Sequence, residues 1–227
     1  MMQTTALRPQ YPTPAIVFKG PVALGRQTGA TGLTQHFARG DELFAEGDEA
    51  DYFYKVVSGS VRSYKLLSDG RRQIDAFHLP GDIFGLEADS EHRFTAEAVE
   101  ATSVIAYRRS RLVALTADDP AFGEQVMVSM MRSLERAQDH MLLLGRKTAQ
   151  EKLASFLLEM ADRLSQEDGH VVLPMQRADI ADHLGLTIET VSRTLTQLAR
   201  DHFIGLRSGS RDVDLCDIKG LRHLQGC

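Results

Sequence analysis

Residues 177–206, RADIADHLGLTIETVSRTLTQLARDHFIGL, decide how the C-terminal part of this chain folds. Their apolar positions recur at helical spacing on both sides of Gly185, a residue that suits a tight turn. Thr187 is a good N-cap for the second helix. The positions expected to face inward are Ile180, Ala181, Leu184, Val191, Leu195 and Leu198. Two short helices that cross closely around a glycine turn indicate a helix-turn-helix.

The outward face of the second predicted helix carries Ile188, Glu189, Ser192 and Arg193. In a helix-turn-helix this face enters the major groove of DNA. Arginine can donate two hydrogen bonds to guanine, and glutamate can accept one from cytosine. A Glu/Arg pair at this spacing is elsewhere usually a solvated ion pair, and here Glu189 could also hold the Arg193 side chain in place. Within this motif we interpret the four residues as base-reading, with double-stranded DNA as the partner.

Phosphate contacts are expected at the ends of these helices and on a following hairpin. Arg177, Thr187 and Thr190 lie near predicted helix N-termini. The stretch DHFIGLRSGSRDVDLCDI reads as strand, turn and strand, with Arg207 and Arg211 near the tip of a wing. Each of these side chains could equally be an ordinary surface residue.

A long helix with a narrow apolar seam precedes this region. Its apolar residues alternate at steps of three and four: Met127, Met130, Leu134, Ala137, Met141 and Leu144. Such a seam favours a two-stranded coiled coil and therefore a homodimer, although an internal core helix can show part of the same pattern. We expect this dimerisation helix over residues 119–147 and the winged helix-turn-helix over residues 148–227.

The N-terminal half of the chain differs from the C-terminal part in composition and in the spacing of its apolar residues. Residues 1–32 are rich in Pro, Gly and Thr, which predicts an arm over the surface. In residues 33–118, glycines punctuate short, partly alternating runs, which predicts an antiparallel β-roll or barrel. The predicted fold class is therefore α+β: an N-terminal β-roll, a long helix and a C-terminal winged helix-turn-helix.

Composition excludes several classes of protein. The chain has 227 residues, a net charge of −5 and 43% hydrophobic residues, as expected for a packed domain. No apolar run approaches the roughly 20 residues of a membrane span, and no secretory signal is apparent, so a cytoplasmic location is expected. Cys216 and Cys227 match no metal-binding pattern. The absence of a P-loop, GxSxG or HExxH motif argues against an enzyme.

The order of these segments resembles the cyclic-AMP receptor protein/FNR family of bacterial transcription regulators. GDELFAEGDEADYFYKVVSGSVRSYKLLSDGRRQIDAFHLPGDIFGLE is similar to the family's β-roll, and LGLTIETVSRTL to its recognition helix. ETVSR and FHLPGDIFGLE look most like the FixK branch, which implies an activator of microaerobic, anaerobic or nitrogen-fixation genes that contacts RNA polymerase. Glu189, Ser192 and Arg193 match the FNR base-reading residues, which implies a TTGAT–N4–ATCAA-like palindrome. Ile188 replaces a basic reader of the cyclic-AMP receptors.

Departures from the family bear on its ligands. No cysteine precedes Cys216, which excludes the N-terminal iron–sulfur cluster of FNR. The Arg–Ser/Thr pair that would cradle a cyclic phosphate is interrupted, because Phe94 separates Arg93 from Thr95. Glu87 stands near the position that the resemblance implies for a ribose partner. The histidines available for haem are His36, His78, His92 and His140, and none lies in a haem motif.

We therefore predict a regulator without a cofactor. A ligand-gated regulator, responding to cyclic nucleotide or haem, is the alternative. A thiol signal is a further hypothesis, in which oxidation of Cys216 to a negative sulfinate would weaken DNA binding.

Overall fold

The structure is a computed structural model, and it describes residues 32–164, 169–207 and 211–226. The predicted N-terminal arm lies outside these residues except for its last position. The tip of the predicted wing and Cys227 also lie outside them.

The predicted β-roll is present as two four-stranded antiparallel sheets. The strands are β1 (Leu33–Phe37), β2 (Glu42–Phe44), β3 (Tyr52–Ser58), β4 (Val61–Leu66), β5 (Arg72–His78), β6 (Ile83–Phe84), β7 (Thr95–Ala98) and β8 (Thr102–Arg108). One sheet has the order β1-β8-β3-β6, and the other has the order β2-β7-β4-β5. Gly59 has a φ of 78°, and a Cβ there would lie 2.4 Å from the Ala101 carbonyl oxygen. The turn between β3 and β4 therefore requires glycine.

A short 3₁₀ turn (Arg109–Arg111) and α1 (Leu112–Asp118) lead from the β-roll into the long helix α2 (Pro120–Arg146). Asp119 caps α2 by accepting a hydrogen bond from the Phe122 backbone N–H at 3.1 Å. In this 27-residue helix only Val126 and Leu143 are buried. The predicted seam is open to solvent in the single chain: the exposed fractions are 60% for Met127 and 66% for Met141. The seam is therefore free to meet another surface.

The C-terminal part is a winged helix-turn-helix. Its elements are α3 (Ala149–Leu164), β9 (His170–Val172), α4 (Arg177–Leu184), α5 (Ile188–Arg200), β10 (Ile204–Leu206), β11 (Asp212–Leu215) and α6 (Ile218–Leu224). The three strands form a small antiparallel sheet in the order β10-β11-β9. The sequence predicted α4, α5 and the two wing strands β10 and β11 among these elements.

The β-roll and the helix-turn-helix share one apolar core. Ile74 and Phe77 on β5 belong to the same buried cluster as Phe156 on α3 and Leu184 on α4. This packing places α4 directly against the face of the β4–β5 pair. Burial of apolar area is the dominant attraction between such elements.

Candidate nucleic-acid interface

The turn between α4 and α5 has the geometry that the sequence predicted. Gly185 lies in the left-handed region, with φ 62° and ψ 42°, and its N–H bonds to the Ala181 carbonyl. A Cβ on Gly185 would lie 3.3 Å from the Leu144 side chain. The left-handed backbone therefore favours glycine at this turn, and a Cβ would also press on the Leu144 side chain.

Helix α5 presents the predicted reading residues on its outer face. Val191, Leu195 and Leu198 are buried, which fixes the rotation of the helix. The opposite side carries Ile188, Glu189, Ser192 and Arg193, which line one open surface. Ile188 is 45% exposed, a large exposure for an apolar side chain that has no interior role here. The structure thus brings all four predicted base-reading residues together near the N-terminus of α5.

Glu189 and Arg193 do not form the direct ion pair that their spacing suggested. No contact within 4.0 Å joins them, although both residues are described. The pKa of Glu189 is instead lowered by its own backbone N–H, by the Thr187 hydroxyl and by the positive charge of Arg193. The carboxylate is held at the helix N-terminus, where backbone donors stabilise an anion. The Arg193 guanidinium is consequently left available for another acceptor.

Three of the predicted phosphate contacts surround this face. Thr187 caps α5 by accepting from the Thr190 N–H at 3.2 Å, and the two hydroxyls lie 3.1 Å apart. Arg177 begins α4, and its Nη1 lies 3.4 Å from the Ser192 hydroxyl. Exposed Arg177 therefore stands beside the reading face, where a phosphate could compete for its guanidinium.

The wing residues differ in how firmly they are held. Arg207 has a side chain that is 63% exposed, and its Nε lies 3.6 Å from Asp214 Oδ2. Arg211 donates to the Pro174 carbonyl, which ties it to the segment before α4. Sequence spacing did not show this contact, because Pro174 lies far from Arg211 along the chain. Arg207 is thus the freer of the two cations.

Cys216 follows β11 at the base of the wing. Its exposed Sγ lies 3.6 Å from the Asp214 carbonyl oxygen. Its backbone N–H bonds to the Phe203 carbonyl, so the residue is anchored beside β10. The thiol is accessible, and its redox role stays a prediction.

Aromatic rings fill the interior of the β-roll. The Phe44 ring stacks on His92 with centroids 3.6 Å apart and on Tyr54 at 5.6 Å, and Phe84 packs on Tyr54 at 5.5 Å. All four residues are buried. Burial raises the pKa of Tyr54 to about 12. Close packing of this kind leaves little room for a purine between the sheets.

The side chains considered for a cyclic nucleotide point elsewhere. Arg93 is exposed beside the ring of Phe94, with 6.0 Å from the guanidinium to the ring centre. Thr95 accepts from the Glu46 N–H at 3.0 Å, and Glu87 accepts from the Arg93 N–H at 3.3 Å. These residues do not form the phosphate cradle that a cyclic nucleotide needs.

The four histidines considered for haem are dispersed, and three of them are stacked on other rings. His36 is exposed on β1. The partners of the others are Phe84 for His78, Phe44 for His92, and His183 for His140. Over residues 32–164, 169–207 and 211–226, no cluster of three or more His, Cys, Asp or Glu side chains is arranged to hold a metal ion.

The described helices also include none with the length and apolar character needed to cross a membrane.

Comparison with known proteins places these features in a family. The model of the Crp-like helix-turn-helix domain matches residues 151–224, and that of the cyclic nucleotide-binding domain matches residues 34–119. The nitrogen fixation regulation protein FixK of Azorhizobium caulinodans is 49% identical over 199 residues, which cover 86% of this chain and 80% of that protein. This chain belongs to the CRP/FNR family. FixK of Rhizobium meliloti is 42% identical over 85% of this chain and 87% of its own length.

Solved structures of the CRP/FNR family agree with the fold. FixK2 from Bradyrhizobium japonicum superposes with a TM-score of 0.80 at 48% identity, and the match covers 86% of this chain and 98% of that one. A CRP-family regulator from Thermus thermophilus, TTHB099, gives a TM-score of 0.69 at 30% identity, with 85% and 97% coverage. The order of β-roll, long helix and winged helix-turn-helix is thus confirmed as the fold of this family. The two FixK relatives are named as regulation proteins, and the two matched domains are a helix-turn-helix and a cyclic nucleotide-binding domain.

Proposed function

We propose that this protein is a homodimeric, sequence-specific transcription regulator that binds a TTGAT–N4–ATCAA-like palindrome. One observation carries the proposal: Glu189, Ser192 and Arg193 stand together on the solvent side of α5, above a buried apolar face. In that arrangement the Arg193 guanidinium can donate two hydrogen bonds to a base edge in the major groove, and the Glu189 carboxylate can accept one. Arg177, Thr187, Thr190 and Arg207 then contact phosphates on either side.

The exposed seam of α2 supports the homodimer. Met127, Met130, Leu134 and Met141 are each at least half exposed in the single chain. Large apolar side chains in a continuous stripe favour burial against a second copy. A two-fold dimer presents two α5 helices to half-sites about one helical turn apart, which matches a palindrome.

The relatives suggest which genes are controlled. Proteins similar to this chain are named nitrogen fixation regulation protein FixK, and another, AadR of Rhodopseudomonas palustris, is named a transcriptional activatory protein. We extend this to an activator of microaerobic or nitrogen-fixation genes that works with RNA polymerase in the cytoplasm.

The packed β-roll supports DNA binding without a small-molecule signal. Phe44, Tyr54 and Phe84 fill its interior, and Arg93 lies outside it. An iron–sulfur cluster of the FNR type has no ligands before Cys216. The match to the cyclic nucleotide-binding domain favours the ligand-gated alternative, which must be tested directly.

A fluorescence-anisotropy titration at one fixed salt concentration tests both readings. The purified, nucleotide-free protein is added to a labelled TTGAT–N4–ATCAA duplex and to a scrambled duplex, with and without cyclic AMP. Specific binding by the bare protein supports the proposal. Specific binding only after addition of cyclic AMP would favour the ligand-gated alternative, and equal affinity for both duplexes would argue against the assigned half-site.

A further inference from the structure

A group of charged side chains joins the β-roll to the first helix of the helix-turn-helix. Arg62 on β4 and Arg72 on β5 both donate to Asp179 Oδ1 on α4, at 2.9 and 2.6 Å. Arg72 Nε also donates to Asp182 Oδ2 at 2.8 Å. We call Arg62, Arg72, Asp179 and Asp182 the interdomain latch. The paired residues lie more than one hundred positions apart in the sequence, so no local sequence pattern predicts these contacts.

The latch is sheltered from solvent. The exposed side-chain fractions are 5% for Asp179, 15% for Arg62 and 22% for Arg72. Charge-assisted hydrogen bonds in such a setting are screened less than surface ion pairs, and removal of one partner leaves a charge uncompensated. Glu97 on β7 accepts from the other arm of Arg62, and the Tyr64 ring lies 5.5 Å from the Arg72 guanidinium. Both arginines are thus oriented from within the β-roll.

The carboxylates of the latch are connected to the DNA-reading helix. Asp179 also accepts from the Gln176 N–H at 3.2 Å and so fixes the start of α4. Helix α4 packs on α5 through the same buried core that holds Val191. Contacts that fix the positions of Asp179 and Asp182 therefore also fix the orientation of the α5 face that carries Glu189 and Arg193.

We propose that Arg62 and Arg72 are positioning residues for DNA recognition, which hold the helix-turn-helix at the angle where both α5 helices of the dimer reach their half-sites. The inference rests on the proposed function. Only Lys147 and Thr148 lie between α2 and α3, so the orientation of the C-terminal part is set by its noncovalent contacts with the β-roll, which include the latch and the shared apolar core. If the two helix-turn-helix domains of a dimer are held less firmly, their α5 helices spend less time at the separation of about 34 Å that two half-sites require. The apparent affinity of such a dimer for DNA falls in proportion to the fraction of dimers that hold both α5 helices in the binding arrangement.

The experiment measures both affinity and spacer preference in the full-length protein. Wild type, Arg72→Gln, Asp182→Asn and the double variant are titrated against palindromes with N4, N5 and N6 spacers. Arg71→Gln is the matched control, because Arg71 lies beside Arg72 but pairs with Asp69 of its own turn. Thermal unfolding by circular dichroism is recorded for each.

We expect Arg72→Gln to bind the N4 palindrome about tenfold more weakly and its N4-to-N6 preference to fall toward one. General loss of stability would lower the active concentration without relaxing the preferred spacing. Asp182→Asn should have a smaller effect, and the double variant should match Arg72→Gln alone, because the two residues act through one contact.

The outcomes separate this inference from the proposed function. Failure of wild type to prefer the palindrome over a scrambled duplex would overturn the proposed function. If wild type binds specifically but Arg72→Gln and Asp182→Asn have the same affinity and spacer preference as Arg71→Gln, the positioning role of the latch is wrong. The proposed function would stand in that case. If Arg72→Gln does not fold, the spacer preference of Asp182→Asn decides the result.

Discussion

The imidazole rings of His140 and His183 stack across the junction of α2 and α4, with centroids 4.1 Å apart and planes inclined by 17°. His183 Nδ1 lies 3.2 Å from the Ile74 carbonyl oxygen on β5. One buried histidine thus touches the long helix and the β-roll while belonging to the helix-turn-helix. A stacked pair of this kind tolerates two neutral rings and not two imidazolium cations.

This burial predicts a loss of stability in acid. Burial and the nearby His140 lower the pKa of His183 to about 3, and burial lowers that of His78 to about 4. Since both pKa values lie below the usual value of about 6.5, the unfolded chain binds the extra protons. The stabilisation is complete above about pH 6.5 and is lost as the pH falls toward these values. We expect roughly 2 kcal/mol of lost unfolding free energy per buried histidine at pH 5.

Urea unfolding at pH 7, 6 and 5 measures this loss. His183→Gln should show a shallower dependence of unfolding free energy on pH, because one titrating group is gone. The exposed His36 provides the control, since His36→Gln should keep the wild-type dependence. If His183→Gln kept the full wild-type dependence, the neutral stacked pair would be wrong.

The open seam of α2 predicts that one charge abolishes the dimer. Leu134 is 61% exposed in the single chain, and Leu134→Glu would place two carboxylates at one level of the coiled coil. We expect a monomer by analytical ultracentrifugation and loss of palindrome binding. Val113→Glu is the matched control: Val113 is 81% exposed on α1, away from the seam. A Leu134→Glu protein that remained dimeric would place the interface elsewhere.

Arg177 is predicted to bind phosphate without reading sequence. Arg177→Ala should weaken binding to specific and scrambled duplexes alike and should reduce the salt dependence by about one phosphate contact. Anisotropy titrations at several salt concentrations give that slope. Lys219→Ala removes an equal charge from an exposed position on α6 and should leave the slope unchanged. A change confined to the specific duplex would instead assign Arg177 to base recognition.

Oxidation at Cys216 is predicted to weaken DNA binding. Its exposed Sγ lies at the base of the wing, where a negative sulfinate would repel phosphates. After treatment with peroxide we expect about 1 kcal/mol of lost binding free energy, roughly fivefold in affinity. Cys216→Ser should resist the treatment and Cys227→Ser should not. Equal sensitivity of all three proteins would exclude a role for this thiol.

Sequence reasoning recovered the parts of this molecule that depend on local pattern. Gly185, the Thr187 cap and the spacing from Val191 to Leu198 predicted α4 and α5, because helix rotation follows from burial of regularly spaced apolar residues. The spacing of Met127, Met130, Leu134 and Met141 likewise predicted that they share one face of α2, and this face is exposed in the single chain.

Features that depend on distant pairing were not visible in the sequence. The partners of Arg62 and Arg72 on α4, the bond from Arg211 to Pro174 and the His140–His183 stack all join residues brought together only by the fold. The expected Glu189–Arg193 pair failed for a related reason. The Glu189 backbone N–H and the Thr187 hydroxyl stabilise the Glu189 carboxylate at the start of α5, and residue spacing alone does not reveal these donors.

The most direct test of base reading compares wild type with Arg193→Ala on TTGAT–N4–ATCAA duplexes in which each half-site base pair is replaced in turn. Wild type should lose roughly 1–3 kcal/mol of binding free energy at each recognised position. Arg193→Ala should bind the intact palindrome more weakly by a similar amount and should become indifferent at one base pair per half-site, while keeping its preferences at the others. An unchanged pattern of preferences in Arg193→Ala would contradict the assignment of α5 as the helix that reads the sequence.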